Sequence, residues 1–272
     1  MKIHIRHATT YHYDNPGSHL VQRLYLQPLD TPSASGLDWN IEAPGIEGAL
    51  EYVDAFGNVA HVTTPPIDLT EITVIAAGTV RTTDTAGVAG QDFGSVPIQA
   101  YLASTPATEA NAAITALAHG HGHGQLSGIE QLHSLSASVL DKGAYVIGAT
   151  NEHTTAADAV RDGKGVCQDH AHVFISAARL LGVPARYVSG YMVVGENEFA
   201  EASHAWAEAY VASLGWVGFD VSNQVSPDER YVRVATGMDV SGATPAKGVR
   251  RGLSTGAETM DVEVLVERVA EQ

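Results

Sequence analysis

The chain has 272 residues, 44% hydrophobic and 17% charged, enough to bury a core in one large domain or two modest ones. Its 15 Lys and Arg stand against 31 Asp and Glu, and the formal charge of −16 repels phosphate backbones and anionic membrane surfaces, so neither nucleic acid nor membrane is an expected partner. A lone cysteine, Cys167, excludes an internal disulfide and agrees with a reducing compartment.

The opening residues Met1-Lys2-Ile3-His4-Ile5-Arg6-His7 alternate apolar and polar, which reads as a strand and not as a leader peptide. No apolar run approaches the roughly 20 residues of a membrane span. The expected location is cytoplasmic. Further short strands are expected at Val21–Leu26, Leu37–Ile41, Tyr52–Val53, Val59–Val62 and Ile72–Val80. Turn-formers separate them at Asn15-Pro16-Gly17, Ala43-Pro44-Gly45, Asp54–Asn58 and Pro65-Pro66. Residues 1–85 therefore read as an N-terminal antiparallel β-sandwich module. Residues 86–100, rich in Thr, Gly, Ala, Asp and Pro, read as a linker, and 101–272 as the core.

Helical character follows over Ala107–Ala118 and Gly128–Leu140. Between them His119-Gly120-His121-Gly122-His123-Gly124 offers three imidazoles, but alternating glycines leave them unconstrained. A surface loop, and no metal site, is expected there. A short helix opens at Thr154-Thr155, and a longer one spans Val166–Leu181 until Gly182-Val183-Pro184 stops it. Strands are expected at Ala185–Val194, Ser203–Val211 and Trp216–Val221, with a last strand at Asp261–Val269 closing the sheet. The fold class is α+β.

Cys167 stands in Gly165-Val166-Cys167-Gln168-Asp169, after a glycine turn and at a helix start. The free amides and positive dipole end there favour a thiolate and can cradle an oxyanion. In the strand around His204, the side chains of His204, Trp206, Glu208 and Tyr210 share one face. Asp220 ends the next strand, after a Ser213-Leu214-Gly215 turn, and should lie diagonally across from His204. The three residues have a division of labour. Cys167 attacks a carbonyl, His204 moves the proton, and Asp220 orients the imidazole. Gln168, Trp206 and Tyr191 are candidate substrate-binding residues. Asp169 and His172 read as structural.

Residues Gly165–Ala171, Gly182–Tyr191, His204–Glu208 and Gly215–Asn223 together resemble the bacterial transglutaminase-like core. The first module resembles the N-terminal region that accompanies it. After Asp220 the family often shows Pro-Thr, where Val221-Ser222 stand here. The resemblance implies a papain-like core in which a helix carrying Cys167 packs on an antiparallel sheet. Its members are commonly described as candidate cysteine proteases. What it implies is an amide hydrolase acting on a peptide, an amide or a protein through a thioester, with no cofactor. Acyl transfer to an amine uses the same triad, and a non-catalytic binding scaffold is the alternative from another class.

Overall fold

The computed structural model describes residues 1–15, 19–91, 94–121, 128–151, 153–194, 203–251 and 257–269. The chain begins with β1 (Lys2–Tyr13), β2 (His19–Leu24), β3 (Ala34–Glu42), β4 (Leu50–Val53), β5 (Val59–Thr63), β6 (Glu71–Thr82) and β7 (Val88–Gly90). It continues through α1 (Ala112–His121), α2 (Gly128–Lys142), β8 (Ala144–Tyr145), α3 (Ala156–Asp162), β9 (Lys164–Gly165) and α4 (Cys167–Leu180). It ends with β10 (Ala185–Met192), β11 (His204–Val211), β12 (Gly215–Phe219), β13 (Tyr231–Gly237), α5 (Val240–Ala243), β14 (Ala246–Arg251) and β15 (Glu258–Arg268). The turn expected at Pro16-Gly17 lies outside the described residues.

The fold is α+β, built on antiparallel sheets. Two four-stranded sheets, β15-β1-β6-β3 and β14-β2-β5-β4, share an apolar layer of Leu20, Leu24, Ile72, Val74 and Ala76. The strict alternation of β6, buried at every second residue, supplies much of that layer. A five-stranded sheet, β13-β10-β11-β12-β7, forms the core that carries the site.

Two expectations about the chain's course need correction. The last strand does not close the core sheet. β15 pairs with β1 from Ile3↔Arg268 to Tyr13↔Glu258, and β14 pairs with β2, so residues 246–268 of the expected core lie in the N-terminal sheets. The twelve-residue β1 has an edge to cover on each side, and Val264 and Val266 bury their side chains opposite His7 and Ile5. Within the expected linker, β7 adds an edge strand to the core sheet beside β12.

The Asp54–Asn58 turn couples the two parts. The Asp54 carboxylate accepts from the amides of Phe56 and Asn58, both at 2.9 Å, and Gly57 supplies the left-handed φ of 86° that the turn requires. The tip then docks on β13. Asn58, fully buried, donates to the Thr236 carbonyl at 2.8 Å and accepts from the Thr236 amide at 2.8 Å.

A second link is His7, buried on β1, whose Nδ1 lies 2.8 Å from the Tyr191 hydroxyl and whose Nε2 lies 3.1 Å from Thr9 Oγ1. Burial lowers its pKa to about 4, and burial does the same to His172, which accepts from the Val240 amide at 3.2 Å. Unfolded histidines take up a proton near 6.5, so between about 6.5 and 4 the unfolded chain binds protons that the folded one refuses. Stability contributed by these two neutral rings is therefore complete above about 6.5 and lost as pH falls. The expected loss between pH 7 and pH 5 is on the order of 2 kcal/mol per histidine. Urea unfolding of wild type and His7→Gln at both pH values checks this. An equal pH dependence in the two proteins would remove His7 from the account.

Candidate active site

Helix α4 begins where it does because of a buried clamp. Asp169 is wholly buried, and its Oδ2 accepts from the Val166 amide at 2.8 Å and from the Thr150 hydroxyl at 2.6 Å. Gly165 permits this closeness, since a Cβ there would lie 2.7 Å from the Asp169 Cβ. Val166 is extended, and Cys167 is the first helical residue. Its amide and that of Gln168 belong to the group of first-turn N–H groups that no intrahelical carbonyl can accept. From Asp169 to Arg179 every residue of α4 is buried, because β11 covers one side and α1, α2 and α3 surround the rest. The helix therefore has no solvent face, and His172 is packed within the core.

His204 begins β11, and Asp220 follows the end of β12. Ala207 opposes Phe219, and extending that register sets Asp220 across from Trp206, two residues from His204. The diagonal brings His204 Nε2 to 2.6 Å from Asp220 Oδ2. Cys167 lies near enough to act on the charge of the same imidazole. With Nε2 engaged by Asp220, Nδ1 is the nitrogen left for the thiol. Burial alone would depress the imidazole, but the hydrogen bond to Asp220 and the charges of Asp220 and Cys167 outweigh it and push the pKa up to about 10. Burial pushes Asp220 the other way. The bonds from His204, Asn223 and Tyr231 reverse that, and its pKa ends below the ordinary carboxylate value.

Those bonds show how firmly Asp220 is held as an anion. Its Oδ2 accepts from His204 Nε2, from Asn223 Nδ2 at 2.7 Å and from the Tyr231 hydroxyl at 2.7 Å, while Oδ1 accepts from the Asn223 amide at 3.2 Å. A carboxylate so fully engaged orients the ring and stabilises its charged form; it is a poor proton acceptor.

Comparison with other proteins places the two parts of the chain in known families of domains. Residues 3–81 match the bacterial transglutaminase-like N-terminal region. Residues 115–221 match the core of the transglutaminase-like superfamily and contain Cys167, His204 and Asp220. The chain carries a transglutaminase-like core preceded by a bacterial transglutaminase-like N-terminal region. A Mycobacterium leprae protein known only as uncharacterized is 28% identical over 99% of both chains. Another uncharacterized protein, from Mycobacterium tuberculosis, is 30% identical over 52% of this chain and 47% of its own. A solved structure from Cytophaga hutchinsonii, provisionally named a cysteine protease, superposes with a TM-score of 0.76 at 25% identity. That match covers 100% of this chain and 92% of the other.

The remaining expected site residues of this transglutaminase-like chain are distributed differently. Gln168 sits half-buried in the first turn beside Cys167. Trp206 is only 3% exposed, so it offers a substrate almost no surface. It stacks behind His204, ring centroids 6.3 Å apart, and meets Tyr231 edge-on at 5.5 Å. Its place is behind the imidazole, as a wall.

Tyr191 is not at the site. It lies 1% exposed in the cluster formed with Ile3, Ile5 and Val264, and its hydroxyl is taken by His7. On β10 the face that meets Trp206 carries Val188 and Met192, so Tyr191 points the opposite way. Met192 is the residue that reaches the site, 3.5 Å from Asn223 Nδ2.

Sequence reasoning missed Tyr231 and the anchoring role of Asn223. Asn223 had a local signal, an Asp followed three residues later by Asn within a turn. Tyr231 had none, because it reaches Asp220 from β13. His170, about one turn after Cys167 on α4, bridges Ser222 Oγ and the Gly143 carbonyl, both at 3.0 Å. Among the described residues no three His, Cys, Asp or Glu side chains are grouped to hold a metal ion. Of the histidine–glycine run, His121 Nε2 lies 3.1 Å from Ser138 Oγ, and His123 lies outside the described residues.

Proposed function

We propose that this chain is a cysteine-nucleophile amide hydrolase, with Cys167, His204 and Asp220 as its catalytic triad. The observation that carries the reading is an imidazole 2.6 Å from a buried carboxylate, set within the influence of a thiol at a helix start. A raised imidazole pKa keeps the ring charged at neutral pH, and that favours a thiolate–imidazolium pair.

In the first half-reaction the Cys167 thiolate adds to the amide carbonyl carbon, forming an S–C bond and an oxyanion. The amides at the start of α4, those of Cys167 and Gln168, and the dipole of that fourteen-residue helix stabilise the oxyanion. The imidazolium gives its proton to the leaving nitrogen as the C–N bond breaks, and a thioester remains. In the second half-reaction neutral His204 takes a proton from water. The hydroxide adds to the thioester, and a carboxylic acid leaves as the thiolate returns. Asp220 stays ionised throughout. We place the protein in a reducing compartment on the same reading, since its nucleophile is its single free cysteine.

Peptide turnover in heavy-oxygen water with a primary amine present tests both the residue and the acceptor. The expected product is a new carboxyl group carrying solvent oxygen, with a mass-detected thioester on Cys167 and no turnover in Cys167→Ala. A product in which the amine replaces water would overturn hydrolysis in favour of acyl transfer. Full turnover by Cys167→Ala would overturn the triad.

A further inference from the structure

Next to the nucleophile lies a short stretch that the triad does not use. β8 pairs with β9 in parallel, Ala144 opposite Lys164 and Tyr145 opposite Gly165, and β9 runs directly into Val166 and Cys167. Two ladder bonds fix that pairing, from the Ala144 amide to the Gly163 carbonyl at 3.0 Å and from the Val146 amide to the Gly165 carbonyl at 2.9 Å. In a strand the N–H and C=O of one residue point to the same side, and successive residues alternate sides. With Ala144 and Val146 facing β9, Tyr145 faces away. Neither its amide nor its carbonyl has a hydrogen-bond partner among the described residues.

The side chains around that open edge are apolar and accessible. Tyr145 is 48% exposed, Val146 42% and Ile147 85%. The Tyr145 ring lies 6.0 Å from that of His170. Its phenol is held above the ordinary value by burial and by the charges of Cys167 and Asp220, so it lies within the field of the reacting groups. An open donor–acceptor pair and apolar surface thus lie on the strand paired with Gly165, two residues before the nucleophile.

We propose that the outer edge of β8 at Tyr145 takes the main chain of the substrate, which makes the substrate an extended peptide with an apolar side chain near the scissile amide. This rests on the cysteine-nucleophile reading. The peptide adds a strand, and its N–H and C=O complete the unpaired groups of Tyr145. Val146 and Ile147 bury a neighbouring aliphatic or aromatic side chain. The net charge of −16 works against acidic peptides at the same place.

The experiment compares peptidyl chloromethyl ketones with iodoacetamide on the full chain, scoring second-order labelling of Cys167. Each probe forms an S–C bond and expels its halide, so the ratio of the two rates reports peptide recognition apart from thiolate chemistry. A leucine-containing probe is expected to give a higher ratio than its aspartate analogue. N-methylation of the probe, one amide at a time, is expected to cut the ratio about tenfold at one position. Tyr145→Pro is expected to cut it similarly. It removes the outward amide while leaving both ladder bonds to β9 in place. The N-methyl series on wild type keeps the test valid even if that variant folds poorly. Equal ratios for all methylated probes overturn the proposal. So does a wild-type dimer that Tyr145→Pro converts to monomer, because the edge would then belong to a second copy. A Cys167 that reacts with iodoacetamide like an ordinary thiol sinks the catalytic reading itself, whereas failure confined to the peptide ratio sinks only this edge.

Discussion

Replacing His204 by alanine is expected to slow iodoacetamide alkylation of Cys167 at pH 6 by about 10- to 100-fold. An ordinary thiol, with a pKa near 8.5, is under about 1% ionised at pH 6, and the lower intrinsic nucleophilicity of a stabilised thiolate trims the ratio. Peptide turnover should fall further, about a thousandfold or more, because His204 also supplies the proton to the leaving amine. The single cysteine makes the alkylation readout unambiguous. In wild type the reactive pair should persist through neutral pH, and general-acid activity should fade as pH climbs through about 10, where His204 loses its proton. The linkage has a definite sign. A histidine whose pKa rises on folding from 6.5 to about 10 adds stability that is complete below 6.5 and lost as pH rises through about 10. If the His204→Ala profile overlays that of wild type, the imidazole has no hold on the thiol.

The second large effect is on stability, at Glu208. It is 2% exposed on β11, and its Oε2 accepts from Arg186 Nε at 2.8 Å, with Arg186 itself 1% exposed. Arg233 on β13, reaching across from the far side of β10, bonds to the other carboxylate oxygen. The Arg186 guanidinium also stacks 4.0 Å above the Trp216 ring. Removing the carboxylate strands two cations in or near a dry core, and Glu208→Ala is expected to cost about 3–5 kcal/mol. The double variant Arg186→Met/Glu208→Ala should recover part of that loss, since one of the uncompensated charges goes with the arginine. Denaturant unfolding followed by circular dichroism measures both. A single-variant cost below about 1 kcal/mol would mean that water reaches the pair.

Much of the site was legible before any coordinates. Gly165 and the residues after it marked the helix start. Ala205, Ala207 and Ala209 alternating with Trp206 and Glu208 marked the two faces of β11. The hairpin turn between His204 and Asp220 gave their diagonal relation. Each of these depends on residues only a few positions apart, through turn chemistry, capping and the two-residue period of a strand.

Tyr191 shows where such reasoning stops. That it lies on β10 was clear, but which face of β10 meets the site depends on which residue pairs with Trp206. The partner is Val188, and it sets Met192 on the site face and Tyr191 on the other. A choice of register between strands leaves no trace in either strand alone.

By itself the sequence determined the succession of helices and strands, the placement of Cys167 at a helix start, and the chemical identity of the three groups. Tertiary structure alone decided the rest. It sent β15 back to β1 and docked Asn58 on Thr236 across 178 residues. It joined His7 to Tyr191 across 184 residues and brought Tyr231 and Asn223 onto the carboxylate that already held His204. The physical reason is the range of the forces that choose. Propensity, capping and strand alternation act between neighbours in the chain. Pairing of distant strands is chosen by how much apolar surface the whole fold buries, and by which buried polar groups find partners there.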